Sequence, residues 1–311
     1  MRKKIIIDCD VGVDDALALM LAFHSSELEV LAVTGVNGNV SLDKVMINIR
    51  RVLTLLRPSP FPWVAGGAEK PLKGEPPYAE SIHEADGLGG AKIQMARGEQ
   101  WWQDFPGPAD ELLTRFARRM GQEITLIAVG PLTNLALALR KDPEGMKKLK
   151  EVVIMGGAVR TGGNVTPHAE FNFFVDPLAA KIVLESGLPI TLVPLDATHQ
   201  VPLTPGLMEE RVKPLHNPFS RFVVEATGYD SIPGRFIGGR EGFYLHDPLA
   251  VGVVIHPGLV QTESLSLSVE AGEGEFYGRS RELSCGEKRV EVCLGVDRAG
   301  FLDLFLSRLE G

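Results

Sequence analysis

The sequence predicts one α/β domain built on an open, mainly parallel sheet with helices on both faces. Short apolar runs alternate with amphipathic segments along roughly two-thirds of the chain, a rhythm typical of strands joined by crossover helices. Runs such as residues 5–7 are continuously apolar, which favours strands buried on both faces. With 311 residues, 44% of them hydrophobic, the chain can form a sizeable core. No repeat or linker divides it, so we predict a single domain over residues 1–311.

The individual elements follow from apolar periodicity and capping residues. Ser41 is placed to cap a helix from residue 42, and the pair Asp176-Pro177 supplies a cap and a first-turn proline for another. The predicted strands are residues 5–7, 29–36, 62–65, 123–129, 152–155 and 189–195. The predicted helices are residues 16–23, 42–55, 109–120, 132–140, 219–226 and 301–309. Residues 264–270 and 289–294 predict a strand pair beyond this Rossmann-like alternation.

Composition excludes several classes of partner. The net charge is −8, from 40 acidic and 32 basic side chains, which argues against nucleic acid or an anionic membrane because phosphate binding needs a basic face. No apolar run reaches the length of a membrane span. The three cysteines are odd in number and scattered, so we expect no disulfide framework and a location in the reducing cytoplasm.

Four aspartates crowd the turn between the first predicted strand and helix, namely Asp8, Asp10, Asp14 and Asp15. Their carboxylates would repel one another unless a cation or a polar ligand compensates them. Oxygen ligands at this density suit a hard divalent ion such as calcium or magnesium. The turn is therefore where we expect the chemistry.

Three interpretations of this turn rest on the residues themselves. An EF-hand fails because Leu19 stands where that loop needs glutamate. A haloacid-dehalogenase-type phosphatase would use Asp8 and Asp10, but no downstream lysine and further acidic motif clearly complete it. A purely structural role as helix N-terminal anions accounts for Asp14 and Asp15 and leaves the other two aspartates unexplained.

Glycine and asparagine follow several of the predicted strands. They occur in residues 35–39, 130–134 and 156–157. Ligands of open α/β sheets bind beyond the carboxyl ends of strands, where glycine permits close approach and asparagine supplies amide hydrogen bonds. Together with the acidic turn, these loops predict a binding site at that edge of the sheet.

The motifs together resemble the inosine–uridine-preferring nucleoside hydrolases, also called nucleoside N-ribohydrolases. Residues 8–15 resemble the Asp-x-Asp-x-Gly-x-Asp-Asp signature of that family. Further matches are Gly38-Asn39, His83, residues 86–90, residues 130–134, Met155-Gly156-Gly157, Asn164, residues 169–172, Asp196-x-Thr198-His199 and His246-Asp247-Pro248. Their order and separation make the resemblance specific, and it implies a nucleoside hydrolase fold.

A calcium site is the first implication of this resemblance. The implied ligands are Asp10, Asp15, Asp247 and the backbone carbonyl of Val129. Asp10 is also implied as the general base that takes a proton from the attacking water.

A nucleoside site is the second implication. The residues implied to contact the substrate are Asp14, Asn39, His83, Met155, Asn164, Glu170, Phe171, Asn172 and Asp247. Asp14 is expected at the 2′-hydroxyl, and Asn172 with Asp247 near the 3′-hydroxyl. His83 and His246 are expected to face the base, and His246 is the expected proton donor to it because imidazole titrates near neutrality.

The implied reaction is hydrolysis of a ribonucleoside to free base and ribose, for salvage, by a homodimer or homotetramer. Massed carboxylates suit it because N-glycosidic cleavage develops positive charge on the sugar. The phosphatase and a binding-only relative without turnover remain the alternatives. Residues 217–244 are rich in glycine and form either a mobile lid or an ordinary connection.

Overall fold

A computed structural model describes residues 2–78, 86–93, 98–230, 242–286 and 288–310, and the structural statements below concern these residues. His83 lies outside them, as do residues 231–241 of the segment considered as a lid.

The strands form one large sheet and two small ones. They are β1 (Lys3–Cys9), β2 (Leu28–Gly35), β3 (Trp63–Gly66), β4 (Gln103–Asp104), β5 (Ile124–Ala128), β6 (Glu151–Met155), β7 (Ile190–Val193), β8 (Pro202–Leu203), β9 (Phe243–Tyr244), β10 (Val260–Leu265), β11 (Leu267–Val269), β12 (Ser280–Glu282) and β13 (Val290–Val296). The nine-stranded sheet has the order β10-β13-β7-β6-β5-β1-β2-β3-β4, and every neighbouring pair is parallel except β10 with β13. The mainly parallel sheet is confirmed.

Helices follow most of the strands. They are α1 (Val13–Phe23), α2 (Leu42–Leu56), α3 (Ala109–Met120), α4 (Thr133–Lys141), α5 (Pro143–Met146), α6 (Phe171–Val175), α7 (Pro177–Leu184), α8 (Leu195–Thr198), α9 (Pro205–Leu207), α10 (Pro218–Ala226), α11 (His246–Ile255) and α12 (Arg298–Ser307). Short 3₁₀ turns occupy Gly121–Glu123, Lys213–Leu215 and Pro257–Leu259, and a π-helical turn occupies Met208–Val212. Within the described ranges, every helix is too short or too polar to cross a bilayer.

The central strand β1 is buried on both faces, which explains its continuous apolar run. Ile5 and Ile7 pack into the hydrophobic cluster that includes α1, α2, α11 and α12. Ile6 points to the opposite face and packs with α3, α4 and α7. The sheet therefore separates two apolar layers, as the sequence predicts.

Several predicted elements have different bounds in the structure, and two of these differences have a clear physical cause. The first helix begins at Val13 rather than residue 16, so the last two aspartates of the acidic turn lie in its first turn. The predicted strand 264–270 is wrong as a single element because the chain leaves the large sheet at Ser266. The Ser266 hydroxyl donates to the Gly286 carbonyl at 3.1 Å, and its own carbonyl accepts from Leu283 at 2.8 Å. These bonds direct the next strand, β11, into a separate pair with β12.

Candidate active site

The acidic turn lies at the carboxyl end of β1, between β5 and β2. Strand order reverses at this point, which is where open α/β sheets bind ligands. Asp10 and Asp15 are completely buried there. The Asp15 carboxylate closes the turn, because one oxygen accepts from the backbone N–H of Asp10 at 3.1 Å and the other from Gly12 at 2.7 Å.

Asn39, which follows β2, holds the two buried carboxylates in place. Its backbone N–H donates to Oδ2 of Asp10 at 2.7 Å, and its side-chain amide donates to Oδ2 of Asp15 at 3.1 Å. The neighbouring Gly38 makes this approach possible, since a Cβ there would lie 2.0 Å from Oδ2 of Asp10. The absence of a side chain at Gly38 therefore lets the backbone at residues 38–39 approach the Asp10 carboxylate.

Uncompensated negative charge collects on one side of this turn. Asp14, Asp15 and Asp247 each present a carboxylate oxygen, and the three oxygens lie within 4.8 Å of one another. Oδ1 of Asp10 and Oδ1 of Asp14 are buried and have no hydrogen-bond partner among the described residues. A cation would provide the missing partner for these oxygens.

Burial and mutual repulsion raise the pKa of these carboxyls. The pKa of Asp15 rises to about 7, first through burial and then through the charge of Asp14. The pKa values of Asp10 and Asp247 also rise well above their ordinary range, mainly through burial and then through neighbouring aspartates. Loss of these protons at neutral pH needs a compensating positive charge. The donor set consists of oxygen atoms only and therefore fits a hard divalent ion.

The remaining predicted metal ligand, the carbonyl of Val129, follows β5. Its oxygen accepts a hydrogen bond from the Asn172 amide at 2.9 Å, and its second lone pair is available for another partner. The same amide donates to the Met155 carbonyl at 3.2 Å. Asn172 thus joins the ends of β5 and β6 at the site.

Glu170 caps the short helix α6 and fixes the position of Asn172. Its Oε1 accepts from the Asn172 N–H at 2.8 Å, and its Oε2 accepts from Gly157 at 2.7 Å and Phe173 at 3.1 Å. Only 2% of Glu170 is exposed, and burial raises its pKa to about 7 against the opposing effect of these donors.

Asn164 and Phe171, which are also predicted to contact the substrate, lie nearer the surface than Glu170. Asn164 is exposed, and its side-chain oxygen accepts from the Phe171 N–H at 3.0 Å. Phe171 is half-buried. Both residues therefore lie at the outer end of the hydrogen-bonded segment that leads to Glu170.

His246 is the first residue of α11 and directly precedes the buried Asp247. Its Nδ1 lies 2.7 Å from the Thr198 hydroxyl. The rings of His199 and Tyr244 lie 5.8 and 5.7 Å away, between centroids. The described members of the predicted site thus belong to adjoining loops at one edge of the sheet, whereas His83 lies outside the described residues.

A polar network beneath the site was not predicted. The completely buried Asp8 accepts hydrogen bonds from Thr34 and, at 2.8 Å, from Asn134, and burial raises its pKa to about 6. Asn134 also donates to the Gly35 carbonyl at 3.0 Å and accepts from Ala68 at 2.8 Å. Asp8 is therefore bound into the scaffold, which disfavours its use as a phosphatase nucleophile. The asparagine in residues 130–134 was the available signal for this network.

Known proteins resemble the chain over nearly its full length. The family model described as inosine-uridine preferring nucleoside hydrolase matches residues 5–303. The pyrimidine-specific ribonucleoside hydrolase RihA of Shewanella sp. (strain MR-7) is 39% identical over 314 residues, which are 99% of this chain and 96% of the relative. The purine-preferring ribonucleoside hydrolase from Gardnerella vaginalis has a solved structure with a TM-score of 0.88 at 32% identity, covering 99% of this chain and 98% of that chain. A plant nucleoside hydrolase gives a TM-score of 0.89 at 31% identity, with 100% of both chains covered.

Proposed function

This chain belongs to the inosine-uridine preferring nucleoside hydrolase family, and we propose that it is a calcium-dependent enzyme that prefers pyrimidine ribonucleosides. Its relatives are ribonucleoside hydrolases, so the chain is a nucleoside hydrolase that cleaves ribonucleosides. The phosphatase and the binding-only relative are not favoured.

The observation that carries the metal proposal is the group of carboxylate oxygens of Asp14, Asp15 and Asp247 within 4.8 Å of one another. Asp10, Asp15, Asp247 and the Val129 carbonyl are the proposed calcium ligands. Calcium would offset the repulsion between the carboxylates and orient water and ribose hydroxyls. Asp14 lies next to the carboxylate oxygens of Asp15 and Asp247, and we propose that it binds the sugar rather than the ion.

Asp10 is the proposed general base. Its Oδ2 is held by the Asn39 N–H at 2.7 Å, while its buried Oδ1 has no hydrogen-bond partner among the described residues. One oxygen thus fixes the carboxylate and the other can take a proton from the attacking water. The surrounding negative charge would stabilise the oxocarbenium-like sugar of the transition state.

The ribose is proposed to lie across the carboxylates and the Asn172 loop. Asp14 would accept from the 2′-hydroxyl, and Asn172 with Asp247 would hold the 3′-hydroxyl. The residues proposed near the rest of the sugar are Asn39, Met155, Asn164 and Glu170. A 2′-deoxyribonucleoside lacks the 2′-hydroxyl and would leave a buried polar group without its hydrogen-bond partner. We therefore expect the enzyme to discriminate strongly against 2′-deoxyribonucleosides.

The base is proposed to lie against His246, His83 and Phe171, with His246 donating to the departing base. The pyrimidine preference rests on the curated relatives named pyrimidine-specific, at 39% identity, against 32% for the purine-preferring enzyme. From the resemblance of the sequence motifs to this family we also propose a cytoplasmic homodimer or homotetramer in nucleoside salvage. Light scattering of the purified protein would test the assembly.

Ribose release from uridine, cytidine, inosine, adenosine and 2′-deoxyuridine tests this function, measured as reducing sugar with calcium present. Faster release from uridine and cytidine than from the purine nucleosides is expected, with little from 2′-deoxyuridine. Faster release from inosine or adenosine would contradict the pyrimidine preference. Release that continues unchanged in EDTA would contradict the calcium requirement.

A further inference from the structure

The segment Asp196-Ala197-Thr198-His199, which the proposed site does not use directly, contacts His246. The Thr198 hydroxyl lies 2.7 Å from Nδ1 of the imidazole. Thr198 is completely buried, and this ring nitrogen is the hydroxyl's only hydrogen-bond partner in the described part of the chain. The direction of this hydrogen bond therefore sets whether Nδ1 of a neutral His246 ring carries the proton.

The fold holds both partners of this contact rigidly. The Asp196 carboxylate accepts from the backbone N–H groups of Val159 and Arg160 at 2.8 and 2.7 Å, which fixes α8 to the loop after β6. Beyond α8, strand β8 pairs with β9, the strand that leads into His246. Thr198 and His246 thus face each other from two anchored segments.

The direction of the hydrogen bond follows from the burial of the hydroxyl. If Thr198 accepted a hydrogen bond from Nδ1, its own hydroxyl proton would be buried with no acceptor among the described residues, which is unfavourable. If Thr198 donates instead, Nδ1 is the acceptor and the neutral imidazole carries its proton on Nε2. The second arrangement gives the buried hydroxyl proton an acceptor.

We propose that Thr198 is a positioning residue that holds the neutral His246 ring in the tautomer with the proton on Nε2. This N–H can then donate a hydrogen bond to the departing base and stabilise the negative charge that develops on it. This inference rests on the proposed role of His246 as that donor. Thr198 itself touches no substrate in this account and acts only through the ring. Its loss should therefore lower catalysis only for leaving groups that need this hydrogen bond to stabilise their negative charge.

Two substrates separate this role from a structural one. The base of uridine is a poor leaving group that needs a hydrogen-bond donor, whereas 4-nitrophenyl β-D-ribofuranoside releases a stable nitrophenolate anion without one. Thr198→Val removes the hydroxyl at nearly constant volume, and Thr198→Ser keeps it. Thr114→Val is the matched control, because Thr114 is a buried threonine of α3 whose hydroxyl donates to the Glu111 carbonyl of its own helix at 3.0 Å.

For Thr198→Val we expect kcat for uridine to fall about tenfold, the effect of one lost hydrogen bond, with little change in KM or in turnover of the nitrophenyl riboside. Thr198→Ser should restore most of the uridine rate, and Thr114→Val should match the wild type on both substrates. Equal losses on the two substrates, or no loss on uridine, would overturn the proposal.

Nitrogen-15 shifts of the His246 ring in the wild-type protein give a test that needs no stable variant. A protonated Nε2 and a bare Nδ1 in the neutral ring are expected, with His246→Gln used only to assign the signals. A proton on Nδ1 would overturn the proposal. If the wild type releases no ribose from any nucleoside, the proposed function fails instead, and the ring measurement still decides the tautomer.

Discussion

Replacing Glu170 by glutamine should damage both stability and turnover, although the two side chains have almost the same shape. Three backbone N–H groups donate to the carboxylate, one to Oε1 and two to Oε2. Burial raises the pKa of Glu170 to about 7, yet even the protonated acid keeps lone pairs on both oxygens. Glutamine has a single carbonyl oxygen, so its NH₂ must face at least one backbone donor.

The magnitude follows from the number of donors left without a partner. In the better orientation the amide oxygen serves Gly157 and Phe173, and the N–H of Asn172 loses its acceptor in a buried site. One such unsatisfied group costs about 1–3 kcal/mol, which lowers the melting temperature of a chain of this size by roughly 1.5–4.5 °C. Because that N–H fixes Asn172, kcat/KM should fall about tenfold or more.

Thermal unfolding followed by circular dichroism and ribose release from uridine measure the two effects. Glu111→Gln, on the exposed surface of α3, is the matched control and should leave both quantities unchanged. A Glu170→Gln protein with the wild-type melting temperature and wild-type kcat/KM would refute the reasoning, because it would mean that the carboxylate does not hold this loop.

Three further substitutions or conditions test the acidic turn. Asp10→Ala should abolish ribose release while the circular dichroism spectrum stays that of the folded protein; near-normal turnover would exclude Asp10 as the base. Gly38→Ala places a methyl group 2.0 Å from Oδ2 of Asp10, so it should cost about 1–3 kcal/mol in stability and reduce turnover strongly, and normal kinetics would contradict the close contact. The raised pKa values of Asp8, about 6, and Asp15, about 7, mean that the fold retains protons which the unfolded chain releases near pH 4. In EDTA the melting temperature should therefore fall as the pH rises from about 5 to about 7.5, and calcium should reverse the fall at the higher pH; a constant melting temperature in EDTA would contradict this.

The parts of the molecule that local sequence determines were predictable. Continuous apolar runs identified the buried strands, and Asp176 caps α7 as expected, accepting from the Ala179 N–H at 3.0 Å. The start of α1 was missed because apolar periodicity begins only at residue 16. The carboxylate of Asp15 bonds to the Gly12 N–H and so extends the helix backwards by a polar contact.

Contacts between distant segments left no local pattern to detect. Asp8 and Asn134 lie 126 residues apart in sequence, and Thr198 and His246 lie 48 apart. The pairing of β1 with β5 brings the first two residues together, and the pairing of β8 with β9 brings the second two together. Sequence periodicity does not encode either pairing. The break at Ser266 has the same cause, because its partners, Leu283 and Gly286, reach it only once the tail has folded.

Calcium titration of the metal-free protein, with ribose release from uridine measured on the same samples, tests the central claim most directly. We expect the protein to bind about one calcium ion per chain, because its described residues hold a single such cluster of carboxylates, and we expect ribose release to rise in proportion to the bound ion. Full activity without any metal, or stoichiometric binding with no gain in ribose release, would contradict it.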